Sequence, residues 1–179
     1  MKQKAKQYFI AIIIVAALVL LDQGTKYLAV LHLNPDNGGH DRILWDGVFR
    51  LQYLENRGAA FGIMQGKKWL LALTTVLVFV GICWIYHRIP MGKRFLALRG
   101  IALCIIAGAI GNFIDRMRLG FVVDFFYFEL INFPIFNVAD IYVTCSVILF
   151  LVLFLFYYKD EDMDAILPMK NSRKQQKEK

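Results

Sequence analysis

Four apolar stretches decide what this chain can become. They cover about residues 8–30, 69–87, 95–114 and 137–158. A helix rises about 1.5 Å per residue and the hydrocarbon core of a bilayer is about 30 Å thick, so roughly 20 apolar residues make one crossing. Each stretch is close to that length, and the sequence predicts four transmembrane helices. The first follows a basic start, Lys2, Lys4 and Lys6, in the manner of a signal peptide. It is too long for one and has no clear small-x-small cleavage site, so it is read as the first spanning helix.

Composition points the same way. The chain has 179 residues, and 58% of them are hydrophobic, above the roughly 45–50% usual for a soluble domain. One integral membrane unit over 1–160 is expected, followed by a disordered tail over 161–179 that is acidic first and then basic. The formal net charge is +7. In a soluble chain that would suggest nucleic acid. Here the basic residues gather at the termini and in the loop after the second run, so no nucleic-acid partner is expected. They suit membrane orientation instead, with both termini cytoplasmic. Cys83, Cys104 and Cys145 each sit within an apolar run, which predicts small packing residues and neither disulfides nor zinc.

The polar remainder carries the chemistry. Residues 33–68 open with the turn-rich NPDNGGHD, and the alternation from Val48 to Leu54 predicts a short strand. A small β-cradle over about 33–68 is expected on the outer membrane surface, with Trp45, Phe49, Tyr53 and Phe61 dipping into the headgroup layer. Residues 115–136 read as a partly amphipathic excursion between the third and fourth runs. Gly100, Gly108 and Gly111, with Ala107, permit close packing of the third helix. Asp22 and Lys26 are four apart and share a helix face. They are either a self-neutralised pair with Lys26 snorkelling outward, or a pair that orients the polar region further along the chain.

That region runs from Ala107 to Asp140 and sets Asn112, Asp115, Arg116, Asp124, Asn137 and Asp140 among Phe, Ile, Val and Gly. Polar groups so near hydrocarbon are costly unless they pair or react. The only serines are Ser146, inside the fourth run, and Ser172 in the tail. There is no HExxH and no phosphate-binding GxxxxGK[ST] loop. The outer side does offer carboxylates. If the chain from Phe125 to Phe136 loops back, Asp124 meets Asp140 at the mouth of the fourth helix. Two carboxylates at close range share one proton, and such a pair performs acid–base hydrolysis of a peptide bond. Asn112 and Asn137 would hold substrate or orient the carboxylates. Asp115 suits a structural role, as partner to a neighbouring Arg or as a helix cap. Taken alone, these residues leave catalysis, transport and helix pinning all open.

Five short motifs add a resemblance: DQGTK at Asp22–Lys26, NRGAAF at Asn56–Phe61, AGAIGNFIDR at Ala107–Arg116, VVDF at Val122–Phe125 and FNVAD at Phe136–Asp140. In this order across four apolar runs, the chain resembles the lipoprotein signal peptidases (signal peptidase II), aspartic endopeptidases of the bacterial inner membrane. It departs from the pattern at Ala107, where glycine is commoner. The resemblance implies four transmembrane helices, an extracytoplasmic β-cradle and a periplasmic amphipathic helix over about 115–136. It implies Asp124 and Asp140 as the aspartyl dyad and Asn56, Gly58, Asn112, Arg116 and Asn137 as substrate- or inhibitor-binding residues. Asp22, Lys26 and Asp115 become structural support. The implied substrate is a diacylglyceryl-modified prolipoprotein, cut on the amino side of its lipidated cysteine. Globomycin-type cyclic peptides are the implied inhibitors, membrane lipids the surroundings and a monomer the working form, with no metal or cofactor.

Overall fold

The computed structural model describes residues 2–58 and 66–166. Among these, four helices are long and apolar enough to cross a membrane. They are α1 (Lys2–Leu33), α2 (Lys68–Arg88), α3 (Leu96–Arg118) and α4 (Val138–Phe156). The expected four-helix membrane core is therefore present. A short α5 (Asp160–Ile166) follows it.

The helix α3 is the central post. In its apolar window 44% of residues are buried, against 11% in each of the other three. It packs against α1, α2 and α4. The outer helices turn side chains such as Leu20, Leu77 and Leu155 outward, as lipid-facing surfaces do. Two glycines bring α3 close to its neighbours. A Cβ on Gly108 would lie 2.6 Å from the Ala139 carbonyl oxygen, and one on Gly111 would strike the Asp22 carboxylate. Gly100 has open space around it, so the close packing expected there is absent.

Three strands form one antiparallel sheet in the order β1 (Arg42–Trp45), β2 (Phe49–Asn56), β3 (Val122–Phe128). The expected strand after Val48 is β2. The stretch over 115–136 does not form the expected amphipathic helix. Its first residues complete the last turn of α3, its middle is β3, and a single 3-10 turn covers Glu129–Ile131. The reason lies in the sequence VVDFFYF. Four successive residues, Val122 to Phe125, are buried, and a β-branched, aromatic run buried on both faces fits a covered strand. The cradle thus takes its third strand from beyond α3.

Trp45 is exposed, as an interfacial anchor would be. Phe49 instead stacks within the sheet, on Phe126 and Phe128. Phe61 and the Ala59–Phe61 part of its motif lie outside the described residues. In the tail, Asp160–Ile166 is helical and Ile166 is buried beside Phe95 and Tyr158. Arg94 anchors it through two bonds to Asp162, at 2.7 and 2.6 Å. That ion pair holds the Asp162 carboxyl down at about 2. The tail is therefore ordered through Ile166, contrary to expectation, and residues 167–179 lie outside the described part. All three cysteines are free, and Cys145 is exposed and lines a groove instead of packing in the interior.

Candidate active site

The site is built where the ends of α1, α3 and α4 meet β2 and β3. It begins with the start of α4. Asn137 is the N-cap, and its Oδ1 accepts from the Asp140 N–H at 3.1 Å. Asp140 answers through Oδ2, which accepts from the Asn137 N–H at 3.2 Å. This reciprocal capping box satisfies two backbone donors that the first turn would otherwise leave unpaired. It also fixes the Asp140 carboxylate at the mouth of the helix, where the helix dipole favours negative charge.

Asp124 arrives from the sheet. In the β2–β3 ladder it lies opposite Leu54, two residues before Asn56. The chain after β3 turns back, and Phe136 exchanges backbone bonds with Phe126 at 3.1 and 2.8 Å. That bridge sets Asn137 beside Asp124, as the looping-back expectation requires. The Asp124 side chain is 1% exposed. Its Oδ1 accepts from Asn137 Nδ2 at 2.6 Å and its Oδ2 from Asn56 Nδ2 at 2.9 Å.

The helix α3 supplies the link between the carboxylates. Asn112 and Arg116 are four apart and share a face with Gly108, with Gly111 and Asp115 adjoining it. Asn112 Nδ2 donates to Asp140 Oδ1 at 2.8 Å. Asn112 Oδ1 accepts from Lys26 Nζ at 2.8 Å and from Asn137 Nδ2 at 3.2 Å. A lysine ammonium only donates, so it forces the Asn112 oxygen toward itself and the amide NH2 toward Asp140. The Asn137 amide is fixed likewise, because its oxygen serves the helix cap.

Lys26 does not snorkel. It is 3% exposed and lies between two carboxylates, Asp22 at 3.0 Å and Asp115 at 2.9 Å. Asp22, fully buried, accepts from the Ala139 N–H at 2.9 Å and so caps α4 a second time. Asp115 takes Lys26 as its ionic partner instead of a neighbouring arginine. It also accepts from the Val123 N–H at 3.3 Å and ties β3 to α3. Gln23, which sequence reasoning passed over, donates to Asp22, Asp115 and the Gly111 carbonyl. Its one signal was a polar residue beside Asp22 in an apolar helix. Asp22, Asp115 and Asp140 therefore gather at one end of the bundle, where a transport relay would spread acids across several depths.

Asn56 and Gly58 form the outer wall. Asn56 Oδ1 accepts from the Gly58 N–H at 2.9 Å, and Arg116 donates to the Gly58 carbonyl at 3.2 Å. In this structure Arg116 bonds backbone carbonyls, those of Gly58 and Asn112. Its guanidinium lines the same groove as the two aspartates.

That groove has a volume of about 960 Å³. Asp124, Asp140, Asn112 and Arg116 line its polar end. Val78, Ile141 and Val143 line the apolar part that runs between α2 and α4. Thr74 and Thr75 on α2 also face it. Both hydroxyls bond back to the Leu71 carbonyl, which lets them sit in an apolar helix. Burial, and then the nearby Asp140 charge, push the Asp124 carboxyl up to about 7, against the opposing bonds from Asn56 and Asn137. Two buried carboxylates with firmly directed lone pairs, one of them holding a proton near neutrality, can accept and donate protons to a group between them. Among the described residues no set of three His, Cys, Asp or Glu side chains is placed to hold a metal ion.

Known proteins resemble this chain in sequence and in fold. The family model for signal peptidase (SPase) II matches residues 14–156. The lipoprotein signal peptidase of Streptococcus pneumoniae (strain ATCC BAA-255 / R6) is 44% identical over 147 residues, 82% of this chain and 93% of that protein. That of Caldanaerobacter subterraneus subsp. tengcongensis is 46% identical over 147 residues, covering 82% and 96%. A solved bacterial membrane enzyme superposes with a TM-score of 0.70 at 30% identity, over 84% of this chain and 92% of its own. With four membrane helices, a three-stranded cradle and a buried carboxylate groove already in view, this multi-pass membrane protein belongs to the signal peptidase (SPase) II family of proteases.

Proposed function

We propose that the chain is an aspartic endopeptidase that removes signal peptides from diacylglyceryl-modified bacterial prolipoproteins, cutting on the amino side of the lipidated cysteine. The observation that carries the reading is the pairing of Asp124 and Asp140 on one groove that continues between α2 and α4 at membrane depth. The names of the similar proteins support the substrate class. An apolar groove beside the carboxylates suits a substrate whose lipid chains stay in the bilayer.

The proposed cycle starts with Asp124 protonated and Asp140 ionised. A water between them gives a proton to Asp140 as its oxygen attacks the scissile carbonyl carbon, and Asp124 donates its proton to the carbonyl oxygen. The tetrahedral diol then returns a proton to Asp124. Asp140 gives its proton to the leaving nitrogen, and the C–N bond breaks. Both carboxyls end as they began, with no covalent intermediate. Asn56, Asn112 and Asn137 hold the carboxylates. Arg116 and Gly58 shape the wall where the substrate backbone lies. Asp22, Lys26 and Asp115 support this shell from behind. Globomycin-type cyclic peptides would compete for the same groove, and a monomer carries the complete set of residues. The working location is the bacterial cytoplasmic (inner) membrane, with the site at its outer face.

The test is a cleavage assay with purified protein in detergent, using one prolipoprotein with and without its diacylglyceryl group. Mass spectrometry identifies the products. The reading expects cutting of the lipidated form alone, leaving cysteine as the new N-terminal residue. Equal cutting of both forms, or a cut elsewhere, would refute the substrate assignment.

A further inference from the structure

At the end of the bundle opposite the aspartates, a second and smaller cavity of about 130 Å³ opens among α1, α2, the α2–α3 loop and α3. Its lining includes Lys4, His87, Arg88 and Arg99, with Tyr8 and Gln7, and no acidic residue. The nearby acids sit on α5, where Asp162 is held by Arg94. Among the described residues none of Lys4, His87, Arg88 and Arg99 has an ion-pair partner. Arg99 does hold the loop, through Nη1 to the Pro90 carbonyl at 3.1 Å and Nη2 to the Gly92 carbonyl at 3.5 Å. Those acceptors are neutral and leave its charge uncompensated.

Positive charge on one side of a membrane protein is ordinary. Convergence on a shared cavity from three helices and a loop is a more specific feature. Two contacts position its wall. The Tyr8 hydroxyl is hydrogen-bonded to His87 Nδ1 at 2.7 Å, joining α1 to the end of α2. The Arg88 guanidinium lies over the Trp84 ring, 4.3 Å from its centroid. Trp84 is exposed, and an exposed tryptophan one turn from the helix end marks the headgroup level. The cavity has the volume of roughly four waters, enough for a phosphate-sized anion.

We infer that this cavity binds a phosphate group, presented by an anionic phospholipid headgroup or by free phosphate. Basic pockets between membrane helices take lipid headgroups in this way. The site is separate from the protease groove and does not depend on the reading given to that groove.

The test uses the full chain purified in a zwitterionic detergent, with native mass spectrometry and thermal melting as readouts. Phosphatidylglycerol, phosphatidylcholine and inorganic phosphate are added in separate arms. The double variant Lys4→Gln/Arg88→Gln removes two cations while leaving the Arg99 loop bonds intact. Lys67→Gln/Lys68→Gln makes the same charge change at the other end of α2. Phosphatidylglycerol is expected to be retained and to raise the melting temperature, and phosphatidylcholine is not. The first double variant is expected to weaken retention by at least about tenfold, because cations near a membrane surface add to the affinity for an anionic headgroup, while the second keeps it. Stabilisation by inorganic phosphate alone, lost in the first variant only, supports the site and names free phosphate as its source. Equal retention of both lipids with no phosphate effect overturns the inference. So does equal weakening by the two double variants.

Discussion

The residue that sets the pH behaviour is Asp124. Its carboxyl is raised from the ordinary 3.8 to about 7, by burial first and by the neighbouring Asp140 charge second. A raised carboxyl binds its proton more tightly in the folded protein than in the unfolded chain. Folding stability from this group is therefore greatest at low pH and declines as pH climbs from the ordinary carboxyl range through about 7. The melting temperature of the wild type is expected to fall over that window, and Asp124→Asn to flatten the slope; an unchanged slope would show that the proton resides elsewhere. In the proposed cycle the same proton serves as the acid toward the scissile carbonyl. In a pH–rate profile, kcat/KM is expected to drop above about pH 7, approaching tenfold per pH unit. A rate that stays level to pH 9 would contradict the assignment.

At the scale of elements, the junction of α1, α3 and α4 rests on one buried cation. Removing it with Lys26→Met leaves Asp22 and Asp115 buried without their partner. Breaking a buried ionic pair in this way costs about 3–5 kcal/mol, and unfolding in denaturing detergent is expected to shift accordingly. Gly111→Ala drives a methyl group into the Asp22 carboxylate and disturbs the second cap of α4. A loss of about 1–3 kcal/mol is expected, typical of overpacking; retention of full stability would mean that the helices separate freely.

The elements also show what a sequence makes readable. Four apolar runs became four helices because length and hydropathy alone decide that outcome. The strand β2 announced itself by alternation. The strand β3 did not, because burial on both faces erases the period of two and its hydrogen-bonding partner lies some 70 positions earlier in the chain. Asp124 and Asp140 stood out as charges beside hydrocarbon, and the capping box was latent in the spacing of Asn137 and Asp140. The partner of Asp115 was not visible. Lys26 reaches it from α1 to α3, and the close approach of these two helices at Gly111 brings the side chains together.

At the scale of the molecule, two chemically opposite ends face the two membrane surfaces. One end gathers the sheet, the aspartates and the amide network; the other carries the basic cavity and α5. By the positive-inside rule, the clustered basic residues at the latter end predict cytoplasmic termini. A reporter active only in the cytoplasm is expected to work when fused to the C-terminus, and a reporter active only outside to work when inserted at Gly38, in the turn before β1. The reverse pattern would invert the orientation and move the aspartates to the inner face.

The central claim is that Asp124 and Asp140 together perform the cleavage. The most direct measurement is single-turnover cleavage of a diacylglyceryl-modified prolipoprotein by the wild type, Asp124→Asn and Asp140→Asn, with substrate binding measured on each. The account predicts that both variants bind substrate and that each loses about 10²–10⁴-fold in rate, the range for removing a general acid or base. A folded variant that binds substrate and cuts at the wild-type rate would contradict it.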